Sequence, residues 1–216
     1  MRLTKIVLIL SSLSFSQGFL HTEGKEIVEG NGEPILLRGF GLGGWLVPEG
    51  YMLINRAWIE GFESPTQIEN HILDLIGEEK SKEFWEDYRK NFVSRADIDQ
   101  IAEWGFNHIR LPFHYKQFHT EDGSTPIGYE IVDSLLSWCE PYNMYVVLDM
   151  HCAPGAQNGG PISDSDGIAR LWLEEDKKEL TVEIWREIAE YYSDNTLIGG
   201  CLLYTSDAAD EGLGVD

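Results

Sequence analysis

The feature that most constrains the fold is the alternation of helical segments with short strand segments that are apolar throughout. Four such strands are predicted, at residues 36–42, 107–111, 145–149 and from Leu197 onward. Between them lie segments of helical periodicity, two of them opened by the capping residues Ser64 and Ser94. Strands without a polar face are typical of parallel sheets covered by helices. The sequence therefore predicts repeated βα units in an α/β fold.

Composition narrows the class of protein. Hydrophobic residues make up 43% of the 216-residue chain and aromatic residues 12%, which favours a packed globular core. The net charge of −21 and the lack of any Lys/Arg cluster speak against nucleic acid or an anionic membrane as partner. Three cysteines are too few for a disulfide scaffold, and Cys139 and Cys152 could pair or stay free. No zinc-binding spacing occurs, so we expect no cofactor.

The N-terminus has the three-part form of a secretory signal. Arg2 and Lys5 precede an apolar run too short to span a bilayer, and small residues follow it at a position suited to cleavage. We expect residues 1–18 to be removed and the mature protein to be exported, to the extracellular space or the periplasm. A membrane anchor or a buried helix is the alternative.

Three stretches at predicted strand ends carry unusual residues, namely GGWLVPEGY, IRLPFHY and LDMHCAPGAQNG. Function in (β/α) barrels is found where strands end and loops begin. Arg110 lies among apolar neighbours, so its guanidinium must be paired, either with a catalytic carboxylate or with a neighbouring strand. Asp149 and His151 share a face if the strand continues that far. His151 is then a ligand, a proton donor to substrate or a core histidine.

Sugar recognition is suggested by the residues around these strand ends. Trp45 offers a ring face for stacking on a pyranose, and Glu49 offers a carboxylate for sugar hydroxyls, although a solvated loop Glu is the simpler alternative. Asn158 lies in a loop rich in Gly and side-chain amides. His114, which lies within the second stretch, is a further candidate substrate-binding residue, although its spacing alone selects no chemistry and a core or surface position is the alternative.

Together, LRGFGLGGWLVPEGY, ADIDQIAEWGFNHIRLPFHY and YVVLDMHCAPGAQNG resemble glycoside hydrolase family 5, in its exo-β-1,3-glucanase-like branch and the related cellulases. The resemblance covers about residues 24–200. It implies a TIM (β/α)8 barrel, here about its first four βα units, in a monomeric enzyme that cleaves β-1,3 or β-1,4 glucans with retention and without a cofactor. It also implies that Arg110 lies beside the nucleophile, that His151 contacts the −1 sugar, and that Glu49 and Asn158 hold glucose hydroxyls.

The last sixteen residues depart from that pattern. Retaining hydrolysis needs two carboxyl groups about 5–5.5 Å apart, and the family's acid/base is the Glu of an Asn-Glu-Pro motif after the strand that begins at Leu197. Here CLLYTSDAADE follows, and its Glu211 lacks both the Asn and the Pro. Residues 201–216 instead resemble translated adapter DNA from sequencing libraries. We therefore expect 24–200 to be the N-terminal half of a barrel, 201–216 to be non-native, and this chain to be inactive.

Two other functions stay open at this point. A metal-dependent barrel hydrolase would use Asp149 and His151, together with further ligands that do not stand out in the sequence. A non-catalytic sugar-binding protein would keep Trp45, Glu49 and Asn158 without any acid.

Overall fold

The computed structural model describes residues 18–53, 61–121 and 123–203. The predicted cleavage segment up to residue 17 and the tail from residue 204 lie outside these ranges. Within them, no helix has the length and apolar character needed to cross a membrane.

A parallel sheet of four strands forms the centre of the molecule. After a short antiparallel pair, β1 (His21–Glu23) and β2 (Glu26–Val28), the sheet consists of β3 (Gly39–Gly41), β4 (His108–His114), β5 (Tyr145–Cys152) and β6 (Ile198–Leu202). The strands lie side by side in chain order, and each pairs in parallel with the next. The four predicted strands and their parallel arrangement are thus confirmed.

The strand limits differ from the prediction at two places. The first strand pairs only over Gly39–Gly41, and Leu36, predicted to be part of it, is 71% exposed. β4 continues through Pro112 to His114, although Pro112 was expected to close it. The carbonyl of Arg110 accepts from the Leu42 N–H, so the even-numbered residues of β4 direct their backbone groups toward β3. The missing N–H of Pro112 falls where β3 has already ended, and it costs no ladder bond.

Six α-helices lie in the described part of the chain. They are α1 (Gly50–Leu53), α2 (Pro65–Ile76), α3 (Glu78–Phe92), α4 (Arg95–Glu103), α5 (Ile127–Cys139) and α6 (Glu175–Tyr191). Both predicted capping residues are confirmed. Ser64 and Gln67 form a reciprocal capping box at the start of α2, and the Asp97 carboxylate accepts from the Ser94 N–H at 2.8 Å.

The two central strands divide their side chains between the two faces of the sheet. Alternate residues of β4 and β5 enter the hydrophobic core together with residues of α4, α5 and α6; from the strands these are Ile109, Leu111, Phe113, Val146, Leu148 and Met150. The intervening residues, among them Arg110 and Asp149, face the other side. The register shifts between Phe113 and His114, at the carboxyl end of β4. The candidate residues therefore lie at the sheet edge where a parallel α/β fold forms its sites.

Candidate active site

The site is built on a buried ion pair between neighbouring strands. Arg110 on β4 places its Nη2 atom 2.6 Å from Oδ2 of Asp149 on β5. The Asp149 side chain is fully buried, whereas one third of the Arg110 side chain is exposed. A carboxylate removed from water requires a counter-charge. Arg110 is therefore paired with a carboxylate of the neighbouring strand, while one third of its side chain stays exposed.

His151 shares that carboxylate. Its Nδ1 lies 3.2 Å from Asp149 Oδ2, and its Nε2 lies 3.4 Å from Oε1 of Glu49. Burial alone would lower the pKa of His151, but hydrogen bonds to Asp149 and Glu49 and their negative charges raise that pKa to about 9. The ring is therefore protonated at neutral pH, with one N–H directed at each carboxylate.

Glu49 is the most informative residue of the cluster formed by Glu49, Arg110, Asp149 and His151. It lies at the start of α1, and a bridge between Leu46 and Phe113 holds its loop against the end of β4. It is only 2% exposed, so it is not a solvated loop residue. Its Oε2 atom is buried and has no hydrogen-bond partner among the described residues. Since buried carboxylate oxygens are nearly always hydrogen-bonded, Oε2 is an acceptor whose capacity the described residues leave unused.

The structure places Trp45 in the core and not at the cluster. The indole is 3% exposed, it stacks at 17° on Trp138 with ring centroids 6.4 Å apart, and its N–H donates to the Arg89 carbonyl at 2.7 Å. Its neighbours along the chain gave no sign of this partner on α5. The expected sugar-stacking face of Trp45 is therefore covered by protein.

His114 also contacts protein with both ring nitrogens. Its Nε2 lies 3.0 Å from Asp164 Oδ2, and its Nδ1 accepts from the Lys116 N–H. Asp164 accepts in addition from the backbone N–H and the hydroxyl of Thr66 on α2. Burial would raise the pKa of Asp164, but these hydrogen bonds hold it well below its usual range. His114 thus belongs to a buried network beside the cluster, which sequence reasoning did not anticipate.

Asn158 shapes the loop that follows β5. Its Oδ1 accepts from the Gly160 N–H at 2.7 Å and from the Ser163 hydroxyl at 2.9 Å. Its neighbour Gln157 ties the same loop to the strand, because its Nε2 donates to the His151 carbonyl and its Oε1 accepts from the Ala153 N–H. No contact of Asn158 with the cluster is found among the described residues. Gln157, missed in the sequence, is the residue that fixes the loop next to His151.

The described residues contain no group of three or more His, Cys, Asp or Glu side chains arranged to hold a metal ion. Cys139 and Cys152 are both buried and both free, so the two do not form a disulfide. The metal-dependent alternative therefore has no ligand set in the described part of the chain.

Comparison with known proteins identifies the family. The family model for cellulase (glycosyl hydrolase family 5) matches residues 66–200, which is more than half of the chain. The chain belongs to glycosyl hydrolase family 5. The solved structure of a rutinosidase from Aspergillus niger superimposes with a TM-score of 0.65 at 19% identity, covering 77% of this chain and 48% of that one. The predicted barrel architecture, with about its first four βα units present, is thereby confirmed.

Curated relatives of this family 5 chain carry related names. A "Beta-xylosidase" from Phanerodontia chrysosporium is 35% identical over 187 residues, which are 84% of this chain and 38% of the relative. A "Probable glucan 1,3-beta-glucosidase A" from Aspergillus clavatus is 31% identical over 158 residues, which are 73% of this chain and 37% of the relative. The chain thus spans well under half the length of these relatives.

Proposed function

We propose that this chain is the N-terminal part of an exported retaining glycoside hydrolase that cleaves β-1,3 or β-1,4 bonds between glucose residues. Membership of family 5 and the names of the curated relatives support a hydrolase acting on β-glycosides. The observation that carries the proposal is the buried Oε2 of Glu49, which has no hydrogen-bond partner in the described ranges of the chain, beside a protonated His151. A sugar hydroxyl is the donor that such a site lacks.

Each member of the cluster then has a role at one pyranose ring. Glu49 accepts hydroxyl protons through Oε2, and His151 donates to a ring hydroxyl or to Glu49. Asp149 is a positioning residue, because it orients both His151 and Arg110 without reaching the exposed side. Arg110, whose side chain is one third exposed, would pair with the nucleophilic carboxylate that retaining hydrolysis requires. Its charge would hold that carboxylate in its ionised form.

We propose that the two reacting carboxyl groups belong to parts of the enzyme that are not among these 216 residues. In the family pattern the acid/base follows the strand that corresponds to β6, and the 216 residues contain no Asn-Glu-Pro at that place. With neither an acid nor a nucleophile, the double displacement has no route. The chain alone would then bind sugar through Glu49 without hydrolysing it, which is the alternative of a non-catalytic sugar-binding protein. Export and a monomeric state remain part of the proposal.

Hydrolysis should depend on the residues that follow β6. We expect residues 19–216 to show no turnover on laminarin or carboxymethylcellulose. The extended form, in which the product of the true downstream gene follows residue 200 in place of residues 201–216, should be active. The difference should be at least about 10⁴-fold, because covalent and acid–base catalysis are both missing from the shorter form. Reducing-sugar release measures the rates, and the anomer formed first, followed by NMR, reports retention.

An Arg110→Lys variant of the extended protein provides the link to the site, since Lys cannot reproduce the geometry of the guanidinium fork. Its kcat should fall while the chain stays folded, because Lys keeps the positive charge that the buried Asp149 requires. Turnover by the short form at a rate near that of the extended form would refute the proposal. So would inversion of the anomeric centre. Activity lost on adding a chelator and restored by a divalent metal would favour the metal-dependent alternative.

A further inference from the structure

We propose that a cavity of about 260 Å³ between the loops that follow β4 and β5 is a second binding site, one that takes a single neutral pyranose ring. Tyr115 and Lys116 line it from the loop after β4. Residues of the segment 153–170 line it from the loop after β5. This volume lies below the range of about 300–1,000 Å³ found for drug-sized ligands, and it suits one ring.

The floor of the cavity is a buried polar network. His114 and Asp164 form it, with side chains only 7% and 10% exposed and a 3.0 Å contact between them. Thr66 completes the hydrogen bonds of Asp164 from the first turn of α2. Because these groups satisfy one another's hydrogen bonds, the floor is already ordered before a ligand binds. Binding therefore loses little conformational entropy in the floor.

The walls of the cavity offer hydrogen-bond donors and acceptors but carry little unpaired charge. Asp166 pairs with Arg170 at 2.6 Å, as Asp164 pairs with His114. Each carboxylate of the cavity thus has a side-chain partner within the protein, while the exposed ammonium of Lys116 stays available as a donor. Sugar hydroxyls both donate and accept, which matches this mixed lining better than a strongly charged ligand does. The Tyr115 ring, held 4.9 Å from the His114 ring, adds an aromatic wall.

The loop around the cavity is tightly constrained. The Gly155 carbonyl accepts from the Arg170 N–H at 2.8 Å, which closes the segment 155–170. Gly155 has φ +74°, and a Cβ atom there would lie 2.9 Å from Lys177 Cγ and 3.1 Å from Arg170 Cβ. Only glycine fits this conformation and this close approach. The backbone of the loop that lines the cavity is therefore held in one conformation.

The cavity and the cluster involve different residues at the end of β5. His151 contacts Glu49, whereas the thiol of the next residue, Cys152, donates to the Ile162 carbonyl in the loop that lines the cavity at 3.1 Å. Consecutive strand residues point to opposite faces. None of the cavity-lining residues belongs to the cluster. The choice of a sugar as ligand rests on the proposed function, while the second site itself rests on this separate geometry.

Amide chemical shifts in ¹⁵N-labelled chain, titrated with methyl β-D-glucoside, test this inference. We expect two sets of shifts with separate midpoints, one at Ser165 and Gly167 and one at His151. Ile168 lines the cavity and is 46% exposed, so Ile168→Trp should fill the space without unfolding the chain. This substitution should abolish the shift changes at Ser165 and Gly167 and leave those at His151. Leu173→Trp, at a 73% exposed position outside the lining, is the matched control and should change neither.

Two further variants separate failure of the inference from failure of the proposed function. Lys116→Met should weaken binding at the cavity at least about 5-fold, because a charged donor is lost. Glu49→Gln should weaken only the His151 set. Shifts confined to His151, or cavity shifts that survive Ile168→Trp, would overturn the second site and leave the proposed function standing. Chemical-shift changes at the cavity with none at His151 would overturn the proposed function and leave the second site standing. Inorganic phosphate that moves the Ser165 and Gly167 amides in place of the sugar would assign the cavity to an anion and contradict the proposal.

Discussion

Replacing Asp149 with Ala is expected to lower the free energy of unfolding by about 3–5 kcal/mol, the cost of removing one partner from a buried ion pair. Asp149 is fully buried and lies within 3.2 Å of both Arg110 and His151. Without it, two cationic groups remain close together, and Glu49 is left as the nearest anion of His151. Urea denaturation at pH 7, followed by far-UV circular dichroism, gives the change.

Asp194→Ala is the matched control, because Asp194 is exposed, and it should stay within about 0.5 kcal/mol of the parent. Asp149→Asn keeps the shape and one acceptor oxygen, so its loss should lie between the two. A loss below about 1 kcal/mol for Asp149→Ala would show that the ion pair is not the electrostatic centre of the site.

The second large effect concerns pH. His151 has its pKa raised from 6.5 to about 9 in the folded chain. A group whose folded pKa is raised contributes stability that is fully present below the unfolded pKa and is lost as pH rises through the folded pKa. We therefore expect the contribution of His151 to be complete below pH 6.5 and to disappear between pH 6.5 and about 9. That loss amounts to about 3 kcal/mol.

The difference between parent and His151→Asn chains, measured by urea denaturation from pH 6 to pH 9.5, isolates this contribution from other titrating groups. Glu49→Gln removes one of the two carboxylates that raise the pKa, so it should shrink the pH-dependent loss. A difference that is flat over this range would mean that His151 is neutral in the folded protein, and the roles assigned to its two N–H groups would fail.

Local signals in the sequence predicted most of the fold. The capping boxes at Ser64 and Ser94 act within three residues, and wholly apolar strands need no partner to be recognised, so these elements were predicted correctly. The limits of the first strand depended on how far β4 runs beside it, and this is a property of pairing. Leu36 has strand-like neighbours but lies outside the sheet.

The site, too, has a part that the sequence predicted and a part that it did not. Arg110, Asp149 and His151 were predictable because polar residues at the ends of apolar strands converge at one edge of a parallel sheet. The surroundings of Trp45 and His114 were not, because Trp138 and Asp164 reach them from distant parts of the chain. Asp164 contacts Thr66 across 98 residues of sequence, and no periodic pattern reports a contact of that kind. The direction of His114 also depends on the register shift at the end of β4.

The central claim is that Glu49 and His151 form a sugar site with one acceptor oxygen kept for the ligand. A crystal structure of the chain soaked with laminaritriose tests this most directly. The account predicts a pyranose ring with one hydroxyl at hydrogen-bonding distance, about 2.7–3.0 Å, from Glu49 Oε2. A sugar bound only away from the cluster, or a protein donor already occupying Oε2 in unsoaked crystals, would contradict it.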